Sequence, residues 1–463
     1  MATVTRVQRS RLYLSARIDA EHYSPRFTPV SRQLALLKTV KLGRTLLEPV
    51  KTGHTPSTKN AAYYASETVK FVKTDNLRED RIDTYNVQFL SELGNSKIVA
   101  SELRADDVIV TIIGATEEII GRAARIHGDL GRANINQNVA LIRSRIPAGY
   151  LTVFLNSRYG REQLIWLSRQ TGQVNLNCRE VEELAIPLFA DKFISAIHDL
   201  NNQLHRLLFD SVQIYTQAEQ LLLSELGLQD WKPAPALTYT RNYSQATQAR
   251  RLDAEHFQPK FDEVAKHLSA YHPQRLSKLA TQIIEAVKCD ERQNYRYIEI
   301  SDVNTNNGEI GYTEREVKNL PPNAKIKVKG GELIVSKVRP TRGAIGVVPD
   351  DCRDNGVCSS AFVVLDVPSP VREFLQVYLR STVGRALLEQ PCKGTSYPTI
   401  DDIDVKALPI PTISTQTQER ISELVSQSRL AQREAKTILE KAKRAVEIAI
   451  EEGESKAEKV LAA

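Results

Sequence analysis

"RIDAEHYSPRF" occupies residues 17–27, and "RLDAEHFQPKF" occupies residues 251–261, so one eleven-residue stretch is written twice in the chain. Self-similarity of this kind sets the architecture before any single element does. Asp19 matches Asp253 at an offset of 234, and the correspondence continues downstream. "DDVIVTIIGATEEIIG" (106–121) aligns with "GELIVSKVRPTRGAIG" (331–346) at an offset of 225, and "FLNSRYGREQL" (154–164) with "YLRSTVGRALL" (378–388) at 224. Gly172 pairs with Gly394 and Pro187 with Pro409, both at 222. The slow drift is what loop insertions and deletions produce. A period this long is not a solenoid repeat; it indicates a duplicated unit of domain plus helix.

The 463 residues allow two to four domains, and 41% hydrophobic with 25% charged residues is an ordinary composition for a folded protein in water. A net charge of +6 and a pI near 8.9 admit a polyanionic partner without requiring one. The five cysteines, Cys178, Cys289, Cys352, Cys358 and Cys392, form no C-x-x-C pair, so neither a disulfide framework nor a zinc site is expected, and a reducing cytoplasm fits. The first residues carry charges throughout, and no run of 18 apolar residues occurs, so neither secretion nor a membrane span is expected.

Short β-branched runs bounded by turn residues, "VKFVKTDNL", "DVIVTII" and "NVALIRS" in the first half and "YRYIEISDV", "ELIVSKV" and "AFVVLDV" in the second, predict strands of a small mixed domain. Residues 150–168 and 371–390 have helical spacing. Two further segments carry a heptad seam: Ile197, Leu200, Leu204, Leu207, Ser211, Ile214, Ala218 and Leu221, then Ile421, Leu424, Ser428, Ala431, Ala435, Ile438, Ala442, Ala445 and Ala449. The order domain, helix, domain, helix predicts an antiparallel pair, with a first helix of roughly 50 Å holding the domains apart. Residues 439–460 extend past the paired region and read as frayed or facing a partner. The expected boundaries are 1–189 for the first domain, 190–230 for the first helix, 231–412 for a Pro-containing linker (231–249) and the second domain, and 413–463 for the second helix.

These residues resemble the specificity subunits of Type I restriction-modification systems. The resemblance covers nearly the whole chain. It rests on "DAEHY"/"DAEHF", on "GHTPS" (53–57) followed by an aromatic pair and "FVKTDNL", on "VRPTRGAIG" (338–346), on "GTSYPTIDDI" (394–403) with "LPIP" (408–411), and on the helix after each half. It implies a mixed α/β fold class, with two pseudo-symmetric target-recognition domains separated by a two-helix antiparallel coiled coil. It further implies a non-catalytic reader of a bipartite, asymmetric site in double-stranded DNA. Two methyltransferase subunits dock on the helices and domains of such a subunit, and restriction subunits join for cleavage. S-adenosylmethionine belongs to the methyltransferase, ATP and Mg to the restriction subunit, and no cofactor or metal to this chain. The first half departs from the pattern: "GQVNLN" (172–177) stands where the second has "GTSYPTI". A protein-binding scaffold with two similar domains on a rod is the rival reading.

No G-x-G-x-x-G after a strand, P-loop, amino-methyltransferase N-P-P-[FYW] or H-E-x-x-H occurs, so no catalytic residues are expected. Asp404-Val405-Lys406 has a nuclease-like D-x-K form but lacks the upstream acid, and His22 and His256, at matching positions, suit duplicated packing or capping. DNA reading needs paired donors for base edges and cations for phosphates. In the first domain the candidates are Lys51, His54, Thr55, Lys59, Lys73, Arg132, Asn134, Asn136, Gln137 and Asn138, where "RANINQN" (132–138) offers amides for adenine and a guanidinium for guanine. In the second they are Lys288, Arg292, Lys337, Arg339, Thr341, Arg342, Ser359, Ser360, Lys393, Thr395, Ser396 and Tyr397. The same residue types also build polar turns and solvated faces.

Overall fold

Every one of the six β-branched runs forms a strand in a computed structural model of the chain, which describes residues 20–84, 87–171, 173–234, 236–287 and 290–462. The chain divides into two units, Met1–Leu208 with Arg433–Ala463, and Phe209–Gln432. Each long helix therefore gives one part of its length to each unit.

In the first unit a four-stranded antiparallel sheet runs in the order Lys51–Thr52, Val139–Ile142, Val108–Thr111, Ala123–Arg125. Beside it, Ala133–Ile135 pairs in parallel with Val69–Val72, which pairs antiparallel with Gln88–Leu90. Thr39–Lys41 closes against Ala185–Pro187. The second unit repeats each sheet. Thr281–Ile283, Phe362–Asp366, Leu333–Ser336 and Ile345–Val347 form the antiparallel four. Gly356–Ser359 runs parallel to Asn294–Ile298, which pairs antiparallel with Thr313–Glu316, and Gln274–Arg275 meets Pro409–Ile410. One strand is added, Ala324–Val328, antiparallel to Gly356–Ser359. Central strands such as Val108–Thr111 and Leu333–Ser336 are buried on both faces, which is why they read as unbroken apolar runs.

Each segment expected to be one helix is two: Ala148–Asn156 and Arg158–Leu167, then Val371–Arg380 and Thr382–Glu389. A buried serine makes each corner by capping the following helix, Ser157 accepting from the Gly160 amide at 3.4 Å and Ser381 from Gly384 at 3.2 Å. The glycines are required by proximity. A Cβ on Gly160 would lie 2.2 Å from the Phe154 carbonyl oxygen, and one on Gly384 2.0 Å from that of Tyr378.

The duplicated opening docks on the C-terminal end of the second helix of each pair. His22 Nδ1 lies 3.1 Å from the Trp166 carbonyl and His256 Nδ1 2.8 Å from that of Gln390, residues 224 apart, so these histidines serve packing and capping. The Tyr150 hydroxyl donates to the Pro187 carbonyl at 2.9 Å, and that of Tyr378 to Pro409 at 2.8 Å. By the repeat, Tyr150 aligns with Phe374 and Phe154 with Tyr378, so the hydroxyl has moved one helical turn while keeping its face and its acceptor.

The long helices are Asp191–Glu225 and Thr415–Glu452, followed after Gly453 by Glu454–Ala462. The Ala190 amide donates to Glu454 at 2.9 Å, whereas Ser211 meets Ser428 at 3.1 Å, an order that makes the pairing antiparallel. Residues 439–460 neither fray nor stand free, contrary to expectation. Ala442, Ala445, Val446, Ala449, Ile450 and Ala457 bury themselves in the first unit's core with Tyr150, Phe154, Phe193 and Ile197, because alanines admit close approach. The expected linker is also more structured than its composition suggests. It contains the helix Tyr243–Ala249, and Ala236 exchanges backbone hydrogen bonds with the Gln258 side chain at 2.9 and 3.3 Å. Among the described residues, no helix is long and apolar enough to cross a membrane.

Candidate nucleic-acid interface

In the first unit, the loop 53–57 lies directly on the strand Ala133–Ile135. A Cβ on Gly53 would sit 1.7 Å from the Ile135 carbonyl oxygen, so only glycine permits the approach. The approach brings Thr55 to Gln137, its hydroxyl donating to Oε1 at 2.6 Å. Because Val69–Val72 and Ala133–Ile135 run parallel, their C-terminal ends share one edge, and the Asn136 amide donates to the Val72 carbonyl at 3.2 Å. Lys73 leaves the sheet at that edge, donating to Gln88 Oε1 and lying 5.4 Å from the Phe71 ring centre. His54, Lys59 and Gln137 are exposed. The structure thus gathers His54, Thr55, Lys73 and Gln137, with Lys59 further along the same loop.

It does not gather the rest of "RANINQN". Asn134 is fully buried: its amide nitrogen donates to Asn95 at 2.8 Å and the Ile98 carbonyl at 2.9 Å, and its oxygen accepts from Ser101 at 2.7 Å and the Ile135 amide at 2.8 Å. Every polar atom is spent inside the fold, so Asn134 cannot read a base. Asn136 is buried as well, its side chain closing a turn by accepting from the Asn138 amide at 3.1 Å. Asn138 is half-buried, with its carbonyl bound by the Ile112 amide at 3.0 Å. Arg132 is exposed but gripped by Glu102 at 2.9 Å and by Glu92; these carboxylates raise its pKa, and it in turn holds the Glu102 carboxyl below the usual range. Lys51 is half-buried and paired with Glu48 at 2.9 Å.

In the second unit the turn 337–343 is laid against the loop 393–399. The Arg339 amide donates to the Pro398 carbonyl at 2.7 Å and the Ile400 amide to the Lys337 carbonyl at 2.9 Å, with a bridge between Val338 and Thr399. Arg339 has φ +47°, in the left-handed region. Its guanidinium carbon lies 5.1 Å from the Tyr397 ring centre, and Nη2 donates to the Ser396 carbonyl at 3.2 Å. Arg342, Thr395, Ser396 and Tyr397 are exposed and Thr341 is half-buried. Lys337 and Lys393 belong to the same surface, but each is compensated, Lys337 by Asp402 at 3.0 Å and Lys393 by Asp401 at 2.7 Å.

Ser359 is a correction: it is buried, with Oγ accepting from Asn323 Nδ2 at 3.1 Å and the Ala361 amide at 3.2 Å. Ser360 is half-buried, its amide bound by the Asn323 carbonyl at 2.8 Å. Arg292 is exposed in a separate loop, its amide capped by Asp290 at 3.0 Å, and Lys288 lies outside the described residues.

Sequence reasoning missed the residues that hold these turns. Arg380, fully buried, donates to the carbonyls of Gly343, Ile345 (3.2 Å) and Thr305 (2.9 Å) and to the Tyr215 hydroxyl (2.8 Å). In the first unit Arg161 donates to the carbonyls of Ile120, Glu117 and Glu118, the latter two at 3.0 Å. Its repeat counterpart Arg385 approaches Gly343, and that match in "GREQL"/"GRALL" was the available signal. The departure at "GQVNLN" also has a structural form. Arg169–Thr171 and Gln173–Asn175 make a regular hairpin whose second strand pairs with Ile113–Gly114, whereas in the second unit Pro398 lacks the N–H a ladder needs and only single bridges form.

No family model and no curated protein matches this sequence. Among solved structures, the chain is similar to the Type I restriction-modification system S subunit from M. genitalium, at 13% identity over 92% of this chain and 94% of that one, with a TM-score of 0.35. It is also similar to the HsdS subunit from Thermoanaerobacter tengcongensis, at 15% identity over 90% and 97%, with a TM-score of 0.29. A third similarity, at 15% identity over 92% and 97% with a TM-score of 0.28, is to a chain from work on complex assembly and conformational transition of the type I R-M system. TM-scores this low carry no argument about the present chain.

Proposed function

We propose that this chain is the DNA sequence-recognition subunit of a Type I restriction-modification complex. Each unit reads one half of a bipartite, asymmetric duplex site, and the chain directs a partner adenine methyltransferase, with restriction subunits joining for cleavage. The observation that supports this best is the building of one fold twice, with three sheets repeated in the two units, and with different polar groups on the exposed loops: a Thr55–Gln137 pair in one unit and Arg339, Arg342 and Tyr397 in the other. Equal scaffolds with unequal loops suit two unlike half-sites separated by an unread gap.

On this proposal the methyltransferase brings S-adenosylmethionine and takes an adenine out of the duplex, because a base cannot be modified while stacked. The restriction subunit brings ATP and Mg. This chain contributes the reading surfaces and, through its helices, docking for two methyltransferase subunits. Co-expression of the chain with an adenine methyltransferase from its own genomic neighbourhood, followed by methylome sequencing with and without the chain, tests the reading. The expected result is a bipartite motif of two different half-sites that vanishes when the chain is omitted. A palindromic or continuous motif, or methylation independent of the chain, refutes it and favours the scaffold reading.

A further inference from the structure

Four candidate cations at these surfaces are compensated by carboxylates of the same unit: Lys51 by Glu48, Arg132 by Glu92 and Glu102, Lys337 by Asp402 and Lys393 by Asp401. A cation already neutralised in this way has less to gain from a phosphate or a base. Among the described residues, Arg339 and Arg342 have no such ion pair, although they occupy one short turn.

Arg339 is also the most constrained of the candidates. Its backbone is left-handed at φ +47°, a conformation that costs a non-glycine residue about 1 kcal/mol or more and persists only where the surroundings impose it. They do so here through the amide bond to the Pro398 carbonyl and through Arg380, which fixes the far end of the turn at Gly343. The side chain is fixed in turn, lying over the Tyr397 ring and tied by one Nη2 proton to the Ser396 carbonyl. Tyr397 is itself 58% exposed, so the pair faces solvent. A guanidinium held over an aromatic ring and tied at one N–H has its remaining planar fork of donors pre-placed and loses little entropy on binding. That fork matches the O6/N7 pair which guanine alone presents in the major groove.

We infer that Arg339, oriented by Tyr397, is a guanine-reading residue of the second unit, with Arg342 contacting the adjacent phosphate. The inference rests on the DNA-reading function proposed above and specifies the base. The test is selection from a randomised duplex DNA library by the full-length chain co-expressed with its methyltransferase, comparing wild type with Arg339→Lys, Tyr397→Ala and Arg342→Ala. Arg339→Lys keeps the charge and loses the fork. It is expected to abolish preference for a single guanine in one half-site, a discrimination loss of roughly 5- to 150-fold, while the salt dependence and the other half-site stay unchanged. Tyr397→Ala is expected to weaken the same preference, and Arg342→Ala to lower affinity for all sequences alike with a shallower salt slope. The unchanged half-site is the internal control for folding. If Arg339→Lys keeps the guanine preference, or if it alters both half-sites equally, the assignment falls while the proposed function stands. If the wild type selects no bipartite site, both fall.

Discussion

His127 provides a sharp test of how the first unit joins its sheets to its long helix. The residue follows the strand Ala123–Arg125, and its ring stacks on His205 of the long helix with centroids 3.6 Å apart. The surrounding groups are charged or polar. His205 Nε2 lies 3.1 Å from Asp80, which also accepts from Asn201, while Arg125 binds Asp106 at 2.6 Å, Asn202 at 2.6 Å and Asn201 at 3.2 Å, and His198 lies nearby. His127 Nε2 is buried with no hydrogen-bond partner among the described residues, so a proton there has no acceptor. Burial first, then the neighbouring His205 and Arg125, bring its pKa down to about 3, with Asp106 opposing. The folded value lies below the unfolded value of about 6.5, so the unfolded state takes up the proton first. The associated stability is whole above pH 6.5 and drains away as the pH falls toward 3. Between pH 7 and pH 5 the loss is about 2 kcal/mol for a fully shielded ring, and about 1 to 2 kcal/mol after allowing for residual exposure. Substituting Phe for His127 keeps the stack and removes the proton. Denaturant titrations of wild type and H127F at the two pH values therefore measure the difference directly, and NMR of the histidine ring protons gives the midpoint. A His127 midpoint at or above 6.5, or equal losses of stability in the two proteins, would refute the reasoning.

Two further outcomes are expected. Gly160→Ala and Gly384→Ala each place a methyl about 2 Å from a backbone carbonyl, so each costs at least about 1–3 kcal/mol in denaturant titration, and unchanged midpoints would show the serine-capped corner to be dispensable. Asn134→Ala leaves the Ile135 amide without its side-chain acceptor and the buried Asn95 oxygen without its donor and costs about 1–3 kcal/mol of stability, whereas Gln137→Ala changes stability by less than about 0.5 kcal/mol and, on the proposed function, weakens base preference at one half-site only; the reverse pattern in paired denaturation and DNA-selection assays would exchange their roles.

The duplication was legible because it is carried by residues whose reasons are local. Ser-x-x-Gly makes a corner within four residues of chain, a proline ends the segment, and each histidine sits in a stretch repeated almost unchanged. The strands were legible for the same reason. Side-chain destinations were not. Asn134 lies in a strand buried on both faces, where alternation gives no inward or outward signal, and "RANINQN" therefore read as a run of amides and a guanidinium open to base edges. The partners of Arg132 are 30 and 40 residues away in sequence, so nothing near it announced its neutralisation. Residues 439–460 read as frayed or facing a partner because their mixed charges and their extension past the paired region hide an alanine stripe whose surface of Tyr150, Phe154 and Phe193 lies far away in sequence.

What the two units share and where they differ bear on why half-sites of unlike sequence suit this chain. The matched groups, Ser157 with Ser381, Gly160 with Gly384, His22 with His256, and the tyrosine hydroxyls on Pro187 and Pro409, all brace the same helix pair at its corner, its far end or its closing strand, and even a tyrosine that changed helical turn kept its acceptor. The loops obey no such constraint. At the edge of the parallel strand pair the first unit presents an amide braced by a hydroxyl, and the turn of the second presents a guanidinium braced by a ring. On the proposed function, an amide in that setting pairs with adenine and a fork with guanine, and bases are then chosen by groups that contribute almost nothing to the corner. Reading surfaces of this kind can change without cost to the scaffold, and a scaffold used twice can carry two of them that differ.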